Sequence, residues 1–194
     1  DCTFLVDLAE GKKSLPDPPI ASIGYQASIV ITPQQEADMD IKATLNNLLI
    51  PYTSNYAGTL LPGIREYTVT PGEKTTTISG KGKAGLKQEE NYYFFYLPVC
   101  YKGITGKSYA YYNTSRSKNL YLPASVDENY SYDIQLPENL TLCTPIQEKK
   151  IDNPIGSFKI TLTSEGSSLH IELALQIKKQ LITPAEYPAF RSLI

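Results

Sequence analysis

The chain has 194 residues, of which 41% are hydrophobic and 20% charged. That balance belongs to a globular protein that can bury roughly 70% of its unfolded surface without a metal or disulfide staple. Eighteen basic against 20 acidic residues leave a net charge of −2, which excludes the basic excess that a nucleic-acid partner would demand. No apolar run approaches the ~20 residues of a membrane-spanning helix. The chain begins at Asp1 without a Met and without a signal peptide, as an excised product would.

In chain order, the recurring hydrophobic period is two. Ile20–Thr32 carries Ile29, Val30 and Ile31, and Ile41–Ile50 follows a polar turn at 33–38. Glu66–Thr70 and Lys74–Lys81 flank Pro71-Gly72-Glu73, a turn signal. Thr75, Thr76, Thr77 and Ile78 favour extended backbone because branching at Cβ stiffens them. Gly80-Lys81-Gly82-Lys83-Ala84-Gly85 lacks the Gly-Lys-Ser/Thr ending of a phosphate loop and reads as a mobile hairpin tip. Asn91–Val99 is almost continuously aromatic and apolar. It suits a strand buried on both faces, or one whose tyrosine hydroxyls reach a wet edge.

Tyr130, Tyr132, Ile134 and Leu136 alternate with polar neighbours before a turn at Pro137-Glu138-Asn139, which leads into Leu140–Cys143. Phe158, Ile160 and Leu162 alternate likewise, as do Leu169, Ile171, Leu173, Leu175 and Ile177. With Glu165-Gly166-Ser167-Ser168 between them, 157–181 reads as a β-hairpin whose apolar residues share one core. Thr183-Pro184-Ala185-Glu186 has capping-box spacing with Pro at the first helical position, and Pro188 limits the helix to a turn or two. These elements predict an all-β fold, an antiparallel β-sandwich of about 10–12 strands with a short C-terminal helical turn. The whole chain, 1–194, reads as one domain, with 80–90 the place where it could subdivide.

Chemistry is sparse. His170 is the single histidine, so any cysteine or serine nucleophile would have to share it as base. It sits on the polar side of a strand between Ser168 and Glu172, the place of a solvated strand residue. Glu36/Asp38/Asp40, Glu89-Glu90 and Asp127-Glu128 read as solvated turns rather than converging catalytic acids. Three cysteines, Cys2, Cys100 and Cys143, match no zinc or redox spacing, and whether Cys100 and Cys143 pair stays open. No metal or cofactor motif occurs, so none is expected. Three Asn-x-Ser/Thr sequons start at Asn113, Asn129 and Asn139. The unusual feature is 15 tyrosines with no tryptophan. Tyr109, Tyr111, Tyr112 and Tyr121 cluster, as do Tyr92, Tyr93 and Tyr96, and exposed tyrosines on a sandwich face could serve a protein or glycan partner.

Four stretches carry a family resemblance: Arg116–Pro123, Asp127–Asn139, Asn153–Phe158 and Ile182–Leu193. They resemble the β-rich C-terminal region of transglutaminase-like proteins of Bacteroidetes-type Gram-negative bacteria, over residues 91–194. In that family a β-rich N-terminal domain and a papain-like Cys-His-Asp core precede a C-terminal domain of unknown function. Asp1-Cys2-Thr3 is similar to the end of such a core. The resemblance implies that Asp1 is a stranded triad member and that the catalytic Cys and His lie upstream. It implies a periplasmic or cell-surface protein whose β-domain is a non-catalytic accessory to the adjacent core. Phe4, Leu5, Val6 and Leu8, beside that junction, would then be the contact surface. A stand-alone protein- or glycan-binding module is the alternative, with Tyr109, Tyr111 and Tyr112 as its candidate contacts.

Overall fold

A computed structural model describes residues 19–34, 36–46, 61, 63–101, 103–105, 115–143 and 148–194. Twelve strands and one short helix fill them. The long strands are β1 (Ile20–Ile31), β2 (Glu36–Asn46), β3 (Ile64–Pro71) and β4 (Thr75–Gly85) from the first half. From the second half come β8 (Ser125–Gln135), β9 (Glu148–Asn153), β10 (Gly156–Glu165) and β11 (Ser168–Ile177). These eight form one sheet in the order β3-β4-β2-β1-β8-β11-β10-β9. Two small sheets pair β5 (Lys87–Glu89) with β6 (Tyr92–Phe94), and β7 (Leu120–Tyr121) with β12 (Leu181–Ile182).

The alternation read from the sequence explains how the sheet packs. Ile23, Tyr25, Ala27, Ile29 and Ile31 of β1 are buried while Gly24, Gln26, Ser28 and Val30 between them are exposed. The same parity in β2, β8 and β11 builds one apolar face, because successive side chains of a strand point to opposite sides. The second layer closes over that face in two clusters. Leu61, Phe95, Leu97, Val99 and Cys100 cover the centre of the sheet. Leu122, Ile182, Tyr187, Phe190 and Leu193 cover Val126, Leu175 and Ile177. The protein is therefore an all-β sandwich with one long-stranded layer and one layer of short strands, loops and a helix.

Several local expectations hold in detail. β10 and β11 form the expected hairpin with Glu165 opposite Ser168. Gly166 takes φ +59° at the first loop position, where a two-residue turn of this hand needs a glycine. β3 and β4 close at Gly72, whose amide donates to Thr75 O at 2.8 Å.

Others are corrected. The ladders of the large sheet are antiparallel except one, since β1 and β8 run parallel from Ile20/Ser125 to Val30/Gln135. Sequence periodicity carries no strand direction, so that pairing could not be read from it. Gly80 to Gly85 is not a hairpin tip but the second half of β4, hydrogen-bonded to β2 on one side and β3 on the other. Its glycines answer to packing. A bulge in β3 between Ile64 and Glu66 presses backbone onto the strand, so that a Cβ on Gly80 would lie 2.1 Å from Glu66 O and one on Gly82 2.5 Å from Gly63 O. Strands on both sides of 80–90 thus share one sheet.

The 91–99 run is a strand only at 92–94, and it is not buried on both faces. Tyr92, Phe94 and Tyr96 are exposed while Phe95 and Leu97 pack inward, which matches the wet-edge alternative. No strand forms at 140–143. In the 157–181 hairpin Ile171 and Leu175 are buried, whereas Leu173, Phe158 and Ile160 are only partly so. Phe158 and Ile160 lie next to the edge strand β9, where the covering layer is thin. The helix α1 spans Tyr187–Arg191, starting later than the capping box suggests. Glu186 reaches back as expected, accepting from Thr183 N at 3.0 Å and Thr183 Oγ1 at 2.9 Å. Pro188 lies in the first helical turn, so it helps open the helix rather than ending it.

Candidate functional site

The outer face of the large sheet is polar and carries the one imidazole. β8 and β11 place Asp133 directly opposite His170, and Glu172 follows on the same face. His170 Nδ1 lies 2.7 Å from Asp133 Oδ1, and Nε2 lies 3.4 Å from Glu172 Oε1. Hydrogen bonds to these two carboxylates hold the imidazole above its ordinary pKa of 6.5, because a negative partner favours the charged ring. The His170 side chain is 43% exposed. A depression of about 650 Å³ runs beside it, floored by Ser28 and Gln135. His170 is a solvated strand histidine, as the sequence pattern suggests, though the pairing with Asp133 needs the strand register and was not legible.

The inner face holds a charged residue that the sequence reading placed wrongly. Asp127-Glu128 is not a solvated turn but part of β8, and Glu128 is 1% exposed. Its carboxylate accepts hydrogen bonds from Ile104 N, from Thr105 N at 3.3 Å, from Thr105 Oγ1 at 2.6 Å and from Tyr130 OH at 3.1 Å. Those donors offset the cost of removing a carboxylate from water, and they tie 103–105 to the sheet. A Cβ on Gly103 would come within 2.7 Å of the carboxylate, so the close approach requires a glycine there. The signal was present, since Glu128 shares parity with Tyr130, Tyr132 and Ile134, all of which face the core.

Tyr25, Tyr130 and Tyr132 pack beside it with ring centroids 5.4–6.3 Å apart. Burial drives all three phenols above their ordinary pKa. Tyr132 OH donates to Pro98 O at 2.8 Å, so these tyrosines serve the core rather than a binding face. Cys100 is buried, Cys143 is exposed, and no bridge joins them. Among the described residues no group of three His, Cys, Asp or Glu could hold a metal ion, and no helix is long and apolar enough to cross a membrane. The remaining sequence candidates, Phe4, Leu5, Val6, Leu8, Tyr109, Tyr111 and Tyr112, lie outside the described residues, as do Asp1 and Cys2.

Fold and site together define an all-β domain with a polar outer face and a buried carboxylate pinning its second layer. Residues 91–194 match the model of a family described as a domain of unknown function with solved structure, DUF3858, and the chain belongs to that family. The match begins just before β6, so half of the large sheet is contributed by residues preceding it. A crystal structure from Parabacteroides distasonis, provisionally described as a protease, is 31% identical over 50% of this chain, with a TM-score of 0.43. The chain covers 19% of that longer protein. No curated protein matches.

Proposed function

We propose that this chain is a non-catalytic accessory domain of a periplasmic or cell-surface transglutaminase-like protein, packing on or positioning an adjacent core. The observation that carries the non-catalytic part is the engagement of His170. Both ring nitrogens face carboxylates on the outer face of the sheet, Asp133 and Glu172, while Cys100 is buried in the core, so among the described residues the imidazole is not paired with a nucleophile. The transglutaminase link rests on the resemblance of the four stretches over 116–193; the family over 91–194 has no assigned activity of its own. In an assay of acyl transfer or hydrolysis, His170→Ala and alkylation of the thiols should each leave any background unchanged. Activity that vanishes in a folded His170→Ala variant would overturn the reading. For the accessory role, adding an upstream core in trans should protect residues 1–8 from hydrogen exchange.

A second reading draws on one observation. Tyr92, Phe94 and Tyr96 are 55%, 45% and 77% exposed, on alternate positions of one extended segment, beside the Lys87–Glu89 ion pair. Three rings on one solvated face suit a protein or glycan partner. Glycan-array binding lost in Tyr92→Ala and Tyr96→Ala, without affinity for any core, would favour this module over the accessory domain.

A further inference from the structure

The large sheet is open, and its two edges are finished differently. At one edge β3 is broken by the bulge between Ile64 and Glu66 and ends on Pro71, which has no N–H to offer. Bulges and prolines keep an edge from pairing with another chain. At the other edge β9 has neither. It pairs residue for residue with β10 from Glu148/Thr161 to Asn153/Gly156, and among the described residues no strand lies on its outer side. Glu148, Lys149, Lys150 and Asp152 are exposed, and Ile151 is half-buried.

The side chains along this edge are ordered by parity. Lys150 and Asp152 fall on the polar face of the sheet, and Ile151 on the apolar face. There Ile151 packs, like its ladder neighbour Phe158, against the second core cluster. Glu148 is engaged by Lys159 at 3.3 Å. Among the described residues Lys150 and Asp152 form no ion pair.

Lysines on an edge ordinarily repel a further strand, so a partner strand must bring acid to meet them. The edge's own sequence does so. An antiparallel second β9, related by a two-fold axis through Ile151, sets each Lys150 opposite Asp152 of the other copy. It also sets Ile151 against Ile151 and Lys149 against the neutral Asn153. An axis through Glu148, Lys149, Lys150 or Asp152 would place that charge against its own copy, and one through Asn153 makes no ion pair. Opposite charges across a ladder stabilise it, and like charges do the reverse. We propose that β9 adds to β9 of a second copy of this chain, antiparallel and centred on Ile151, so that two sheets become one. The contact is isologous. It is also small, running only from Lys149 to Asn153, so the dimer is weak and concentration-dependent. The proposal rests on neither reading above, since both name other residues.

Sedimentation velocity on the 194-residue chain, from micromolar to submillimolar, should show a monomer–dimer equilibrium. Asp152→Lys sets like charges opposite each other at two places in the seam and should weaken the dimer about tenfold. Lys150→Asp should do the same. The double exchange, Lys150→Asp with Asp152→Lys, should restore association, which a damaged fold could not do. Glu66→Lys on the β3 edge should leave it unchanged. Disulfide trapping reads the register: in a Cys2→Ser, Cys143→Ser background, Ile151→Cys should cross-link to its own copy and Lys149→Cys should not. A chain that stays monomeric at every concentration would mean that the lysines cap the edge, and the proposal fails. It fails equally if the dimer is indifferent to Asp152→Lys, because the copies then meet through another surface, or if the double exchange does not restore it.

Discussion

Glu128 and Asp133 are carboxylates on the same strand, five residues apart, and they live in opposite surroundings. Asp133 faces water with a 74% exposed side chain and a histidine partner. Glu128 is enclosed, and its partners are two amides, a threonine hydroxyl and a tyrosine hydroxyl. An odd separation along β8 sends them to opposite faces. Outside, the charge is solvated and its pair contributes little. Inside, each lone pair must be matched, so the carboxylate becomes the anchor that holds 103–105 against the sheet. The same chemical group is dispensable on one face and structural on the other.

The comparison can be tested by removal. Glu128→Ala strands the Ile104 and Thr105 amides and opens a cavity, and should cost about 4 kcal/mol, since each unpaired buried donor costs about 1–3 kcal/mol. Asp133→Ala should stay within about 0.5 kcal/mol. Equal denaturation midpoints for the two variants would break the contrast.

Next in size, the apolar parity itself should be graded. Leu175 is fully enclosed, while Leu173 lies partly buried between the two clusters. Leu175→Ala should cost about 3 kcal/mol and Leu173→Ala about 1 kcal/mol. Chemical denaturation of the two variants checks the order, and a larger loss in Leu173→Ala than in Leu175→Ala would overturn it. Gly80→Ala should cost about 2 kcal/mol by driving a methyl group into the Glu66 carbonyl, and should increase amide exchange in β3 and β4 before the rest of the sheet.

The smallest effects are those of pH. His170 has a raised pKa in the folded chain, so its contribution is complete below the unfolded value of 6.5 and fades as pH rises through the folded value. Glu186 behaves oppositely. The Lys179 contact, with two hydrogen bonds from Thr183, lowers its carboxyl from 4.5 to about 2. Its contribution is present above the unfolded value and is lost as pH falls toward 2. Melting curves of His170→Gln and Glu186→Gln against the parent should diverge in those separate windows, and parallel curves across pH would show that neither pair matters.

What the sequence by itself determined was parity. Period-two alternation set strand class, the 157–181 hairpin and the inward faces of β8 and β11, because a pleated strand forces neighbouring side chains to opposite sides. Local chemistry also set the Pro71-Gly72 turn and the Thr183–Glu186 hydrogen bonds, which involve groups only a few residues apart. Tertiary structure decided the rest. The parallel β1–β8 ladder, the bulge that fills Gly80 and Gly82 with backbone, and the donors that make Glu128 tolerable in a core come from segments distant in sequence. A one-dimensional pattern says which way a side chain points, but not what it meets there, because the partner is supplied by another part of the chain.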